Sequence, residues 1–321
     1  MGAGRFDPTA YANFTASNAS TSTCGVYSTG VGTSARPTYD SIHADLDPLK
    51  VKLDAKGVRI RESRDSVDNP LSTPVIVALD VTGSMGYIAD VIAREGLGTL
   101  FTGILDRKPV TDPHLMFMGV GDANFDRAPL QVSQFEADKR IIEQLSSIYL
   151  EHGGGGNRFE SYNLPWYFAA FHTAHDSIEK RGKRGYLFTV GDEEAPHDLT
   201  KDQIAQFLGD TPQEVPSTKE LLELAQRKYD VFHVIVKQGD HANANFDRVH
   251  QTWVDVLGQR VIVLDDYTKL AETIVSAIEV AEGRDADTSA KAWGGSSRVI
   301  YDAVKNLPKG RGPALLPGPG A

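Results

Sequence analysis

Asp80, Thr82 and Ser84 stand at steps of two within VIVALDVTGSMG, residues 75–86. A continuous apolar run leads into the acid, and Gly83 and Gly86 make the following loop tight. Three oxygen-bearing side chains in such a loop can converge on one point. A hard divalent cation takes oxygen ligands near octahedral geometry, so Mg2+ is the natural guest, with Mn2+ or Ca2+ as substitutes. The competing reading is local: Asp, Ser and Thr cap helices, and this loop leads from a strand into a helix. Two further stretches bear on the choice. HGGGGNRFESY (152–162) is a glycine-rich loop carrying Asn157, Glu160 and Ser161. FTVGDEE (188–194) is a second apolar run ending in an acid, Asp192, with Glu193 behind it.

The spacing Asp80-x-Thr82-x-Ser84 resembles the D-x-[ST]-x-S element of the von Willebrand factor A family, its metal-ion-dependent adhesion site. The resemblance covers residues 73–283 and implies two more contributions from later loops on the same sheet edge. The family's glycine-rich loop usually delivers a Thr; here Asn157 follows the glycines, with Glu160 and Ser161 as rivals. A later strand end delivers a second Asp, here Asp192. The implied metal set is Asp80, Thr82, Ser84, Asn157 and Asp192, with Asp122, Glu160, Ser161 and Glu193 at the rim or as alternative ligands. In the family pattern the first Asp and the hydroxyls touch the metal, and the second Asp often acts through water. A cation held by one direct carboxylate keeps net positive charge and welcomes an outside carboxylate in its open position. The resemblance thus implies a Mg2+-dependent protein-binding module that grips an Asp or Glu of a partner, without catalysis. Intracellular A-domain proteins of bacteria often work with AAA+ ATPases of the MoxR type, so such an ATPase or its client is the partner the family implies. The alternative is a structural subunit that assembles through its N-terminal arm.

The elements that must position these residues alternate along the chain. Strands are expected at 74–80, 114–122, 184–192, 230–239 and 260–266, with a shorter edge strand at 130–135. Between them lies a helix carrying Ile88, Val91, Ile92, Leu97, Leu100 and Phe101 on one stripe. Further helices are expected at 136–150, 163–179, 217–229, 246–258 and 268–283. This alternation means an α/β fold, a doubly wound and mostly parallel sheet with helices on both faces. It is the Rossmann-like architecture that the resemblance implies. Such sheets bind ligands outside the carboxyl ends of their strands, where Asp80 and Asp192 stand.

The flanks read differently. Residues 1–48 form an irregular Ser/Thr/Gly-rich arm. LKVKLDAKGVRIR (49–61) reads as a β-hairpin with one apolar face, and a linker runs from it to 72. The A-type domain spans 73–283; residues 284–321 hold a short helix at 296–307 and a Pro/Gly-rich tail.

Bulk properties exclude other classes. The formal charge of −10 and the lack of a basic run argue against nucleic acid or an acidic membrane as the target. No apolar run approaches the length of a membrane span, and the N-terminus lacks the pattern of a secretory signal. The single cysteine, Cys24, fits a cytoplasmic setting. Catalytic loops are missing as well. TGSMG has no Walker lysine, no G-x-S-x-G elbow occurs, and Thr82 stands where an aspartyl phosphotransferase needs its second Asp. What remains of catalysis is metal-assisted hydrolysis with Asp192 or Glu193 as base.

Three other features stand out. ANFDR occurs at 123–127 and again at 244–248, after Asp122 and Asp240; it reads as turn chemistry, against a pair of matching ligand loops. GDEEAPHD (191–198) reads beyond Asp192 as a solvated loop at the rim. His172 and His175 share a predicted helix at ligand spacing, but no third Cys or His completes a zinc site, so a buried helix is expected.

Overall fold

The structure is a computed structural model that describes residues 53–138, 140–145, 147–151 and 158–309. The arm over 1–48, Asn157 and the end of the tail lie outside the described residues. Strands β1 (Arg61–Ser63) and β2 (Thr73–Asp80) precede helices α1 (Tyr87–Val91) and α2 (Leu97–Arg107), which a π-helical turn at Ile92–Gly96 joins. Next come β3 (Pro113–Val120), β4 (Leu130–Val132), α3 (Arg140–Leu145) and α4 (Asn163–Phe171). Then follow β5 (Thr173–His175), α5 (Asp176–Arg181), β6 (Gly185–Gly191), α6 (Lys201–Phe207) and α7 (Thr218–Gln226). The chain continues through β7 (Tyr229–Val236), α8 (Asp240–Leu257), β8 (Val261–Leu264) and α9 (Leu270–Ala281). Helices α10 (Ala286–Lys291) and α11 (Ser297–Val304) complete it.

The main sheet runs β4-β3-β2-β6-β7-β8, and only β4 is antiparallel to its neighbour. This is the expected doubly wound, mostly parallel α/β fold, and the strand order reverses between β2 and β6. Every residue of β2 is buried because helices cover both faces. Side chains alternate across a strand, so β2 feeds two cores at once. Val75, Val77 and Leu79 pack with Leu100, Phe101, Ile274 and Ile278; Ile76 and Ala78 pack with Trp166, Leu221 and Trp253. Each such side chain contributes about 1.5–3 kcal/mol of hydrophobic burial. Those two layers fix the direction of β2 and so the place where Asp80 emerges.

Three expectations change. Of the expected hairpin, residues 49–52 lie outside the described residues, and the described part bonds elsewhere. Asp54 bridges Gln131 on β4, with Val132 N–H bonded to the Leu53 carbonyl at 2.7 Å, and β1 pairs in parallel with β5. The open edge of β4 offers unpaired backbone groups, which the chain entering the fold takes up. The helix expected over 163–179 breaks into α4, β5 and α5. At the break His172 Nδ1 meets the Val58 and Arg59 carbonyls at 2.8 and 3.0 Å, and His175 Nδ1 accepts the Ile178 N–H that caps α5. The two histidines therefore do not share a helix face. Helices α6 and α10 were not expected, although Thr200 and Gln203 form a capping box legible as TKDQ. No helix among the described residues is long and apolar enough to cross a membrane.

Candidate functional site

Asp80 is the last residue of β2, and Asp192 directly follows the end of the adjacent strand β6. Both are fully buried. Asp80 Oδ1 accepts the Thr82 N–H at 2.9 Å and the Thr82 hydroxyl at 2.6 Å. Thr82 Oγ1 lies 3.3 Å from Ser84 Oγ, and the Ser84 hydroxyl donates to Asp192 Oδ1 at 2.8 Å. Four of the five expected metal residues thus form one hydrogen-bonded run at the point where the strand order reverses. The fifth, Asn157, lies outside the described residues.

Asp192 has a second task. Its Oδ2 accepts the His241 N–H at 2.9 Å, in the first turn of α8. The N-cap residue of that helix, Gly239, has no side chain to offer, so a carboxylate from β6 supplies the cap and meets the positive end of the helix dipole. Gly239 is required for this approach: a Cβ there would lie 2.4 Å from Asp192 Cβ. The Asp240 N–H donates to the Ser84 carbonyl at 3.0 Å and ties α8 to the first loop. The backbone breaks at Asn245 (φ −133°, ψ 31°), so α8 is a capped first turn followed by the helix expected from 246.

Sequence reasoning missed Tyr162. Its hydroxyl, fully buried, donates to Asp80 Oδ2 at 2.6 Å. Its ring is held edge-on by Trp253 and His233, with centroids 5.4 and 5.1 Å away. The available signal was an aromatic residue with a polar tip, alone in a polar loop just before a helix.

Around this run the acids crowd. Glu160, Glu193 and Glu194 are buried, not solvated as the loop composition implied for the last two. Glu160 Oε2 has no hydrogen-bond partner, Glu193 Oε2 stands 3.5 Å from His241 Nδ1, and Glu194 Oε1 is paired with Arg248. Burial first, then the charge of Asp192, raises the carboxyl of Asp80 above its usual range. Burial also raises Asp192, although Ser84 and the His241 N–H oppose it. Burial, then Asp192 and Asp80, pushes Glu193 up to about 8. Burial, then Asp80, Asp126 and Asp122, raises Glu160. Basic groups stand only partly in reach: His241 lies 3.5 Å from Glu193 and from Glu194, and Arg248 bonds Glu194 at 2.9 Å. Asp80 and Asp192 take their hydrogen bonds from hydroxyls and backbone N–H groups.

The remaining expected residues are near but engaged otherwise. Asp122 Oδ1 accepts the Asn124 N–H and side-chain amide at 2.9 and 2.8 Å, and Ser161 Oγ accepts the Ala123 N–H at 2.9 Å. The first ANFDR is thus a turn, whereas the second straddles the break at Asn245 and runs into the second part of α8, so the copies are not matching loops. Among the described residues no three His, Cys, Asp or Glu side chains group as metal ligands. A metal here would be held by two carboxylates and several hydroxyls. That all-oxygen set, with the unpartnered Glu160 Oε2 beside it, fits a hard divalent cation and not a soft one.

No family model matches the sequence, and no curated protein does. Solved structures similar to the chain include a von Willebrand factor type A protein from Catenulispora acidiphila, at 11% identity and a TM-score of 0.41 over 67% of this chain and 44% of that one. The pilus adhesin SpaC from Lactobacillus rhamnosus GG aligns at 9% identity and a TM-score of 0.40, covering 68% of this chain and 32% of the adhesin. Proximal thread matrix protein 1 from the mussel byssus aligns at 11% identity and a TM-score of 0.41, covering 65% and 48%. The chain spans less than half the length of each of these proteins.

Proposed function

We propose that this protein is a Mg2+-dependent binding module that grips an acidic side chain of a partner protein. The observation that carries the reading is the continuous run Asp80–Thr82–Ser84–Asp192, which spans the two strands where the sheet order reverses. Asp80, Thr82, Ser84 and Asp192 would hold the ion, with Mn2+ or Ca2+ as substitutes. Bound there, the ion would supply a positive charge open to an outside carboxylate. Asp192 would act at one remove, since one of its oxygens caps α8 and the other binds Ser84. Arg248 offsets part of the negative charge that Glu194 brings to the rim.

The same engagement of Asp192 speaks against its use as a general base, and the reading is of binding without turnover. The resemblance to A-type domains makes an AAA+ ATPase of the MoxR type, or its client, the partner of choice. A cytoplasmic setting suits the single cysteine, Cys24. Calorimetry with Mg2+ and Mn2+ is the test: the wild type takes up one ion, and Asp80→Ala takes up none. A surface presenting Asp- or Glu-containing peptides then retains the wild type until a chelator is added. A folded wild type that ignores both ions overturns the reading.

A further inference from the structure

The hydroxyl that faces Asp80 from the third loop belongs to Tyr162, four residues from the edge of the described loop at Arg158. We infer that Tyr162 is the third loop's contribution to the metal site, its phenol oxygen standing where the A-type pattern carries a threonine hydroxyl. This rests on the metal-binding reading above.

Four observations support the assignment. First, Asp80 is bracketed symmetrically: Thr82 Oγ1 lies 2.6 Å from Oδ1 and Tyr162 Oη lies 2.6 Å from Oδ2. The phenol proton is spent on Asp80, and the Glu193 N–H approaches the oxygen at 3.4 Å, a long contact that still leaves a lone pair for a cation. Second, the fold keeps room for this hydroxyl. A Cβ on Gly191, at the end of β6, would lie 2.0 Å from Tyr162 Oη, so the bare glycine is what lets the phenol reach between the two strand ends. Third, the ring cannot swing away. It is fully buried and wedged against Trp253 and His233, which stack on each other at 3.4 Å.

Fourth, the described rivals are placed less well. The Ser161 hydroxyl oxygen is turned to the Ala123 N–H beyond β3, and the Ser161 N–H donates to the Gly121 carbonyl at 3.1 Å. Glu160 is buried with Oε2 unpartnered, yet it makes no side-chain hydrogen bond to Asp80, Thr82, Ser84 or Asp192. A carboxylate ligand would also cancel the charge that an outside acid needs, whereas a neutral phenol preserves it.

The test is Mg2+ calorimetry on the full chain as wild type, Tyr162→Phe, Glu160→Gln, Ser161→Ala and Asn157→Ala. The phenylalanine variant keeps the ring and removes one oxygen. It is expected to weaken Mg2+ binding about 10- to 100-fold, a larger loss than Ser161→Ala, Glu160→Gln or Asn157→Ala causes. Mg2+ added to the wild type is expected to give a tyrosine difference band in the near ultraviolet. That band decides the matter even if Tyr162→Phe fails to fold: saturation without it overturns the inference. Undiminished affinity in Tyr162→Phe, or loss confined to Glu160→Gln or Asn157→Ala, overturns the inference alone. A wild type that binds neither Mg2+ nor Mn2+ overturns it together with the proposed function.

Discussion

Two groups of acids in this molecule have opposite fates. At the seam between the linker and α5, Asp65 meets Arg181 at 2.7 Å, while Asp176 meets Arg64 at 2.9 Å and Lys180 at 2.6 Å. Burial pushes both carboxyls up, but it is outweighed. Arg181 and Ser72 hold Asp65 below its ordinary range, and Lys180, the Asp65 N–H and Arg64 hold Asp176 well below it. At the carboxyl edge of the sheet, Asp80, Asp192, Glu160 and Glu193 are all raised, with burial as the first cause in each. The seam is complete as it stands: acids and bases from two segments hold the entering chain against α5. The sheet edge gathers acids without matching bases, which is the electrostatic condition for a cation to bind.

The largest expected effect is on the pH dependence of stability, where the two groups pull in opposite directions. Raised carboxyls keep protons in the folded chain that the unfolded chain has released above about pH 4. Each such proton lowers stability by about 1.4 kcal/mol per pH unit until the folded group ionises. The seam acids have lowered values, so their contribution is present above about pH 4 and is lost on acidification below it. Denaturant titrations in chelator at several pH values should therefore show stability falling between about pH 5 and 8. Saturating Mg2+ should flatten that fall. A profile in chelator that rises across this range would break the contrast between the two regions.

A smaller effect isolates the seam. Asp176→Ala takes one acceptor from Arg64, which keeps Glu62 and Glu179, the nearer acceptor from Lys180, and the acceptor of the Asp65 N–H. It should cost about 1–3 kcal/mol in denaturant titrations, equally with and without Mg2+. A third variant sharpens the sheet edge. Glu193→Gln removes a buried carboxylate whose nearest base, His241, stands 3.5 Å away. In chelator it should remove the part of the fall that Glu193 contributes: nothing at pH 5, where the folded acid is protonated, and at most about 4 kcal/mol by pH 8. A loss of stability at pH 8 would mean that the His241 contact already balances Glu193.

Much of this was legible in the residues themselves. The unbroken apolar stretch Val75–Leu79 announced a strand covered on both faces, and the alternation after it announced the doubly wound sheet. What was not legible was partnership. The Thr173–His175 stretch sat inside a helical pattern, yet it pairs with β1, more than a hundred residues earlier in sequence, because that short strand needs a neighbour. Glu193 and Glu194 read as solvated because their composition is polar, yet α8 packs over them, with Trp253 Nε1 donating to the Glu193 carbonyl at 2.9 Å.

By itself the sequence determined the fold and the strand ends on which Asp80 and Asp192 stand. Both follow from hydrophobic periodicity, a property of neighbours along the chain. Only the tertiary structure decided which oxygens meet. Tyr162 reaches Asp80 because Gly191 leaves space beside it, and Asp192 turns to Ser84 because Gly239 lets it cap α8. Contacts of a few ångströms between distant segments depend on packing and on side chains that are absent, and no spacing along the chain encodes them.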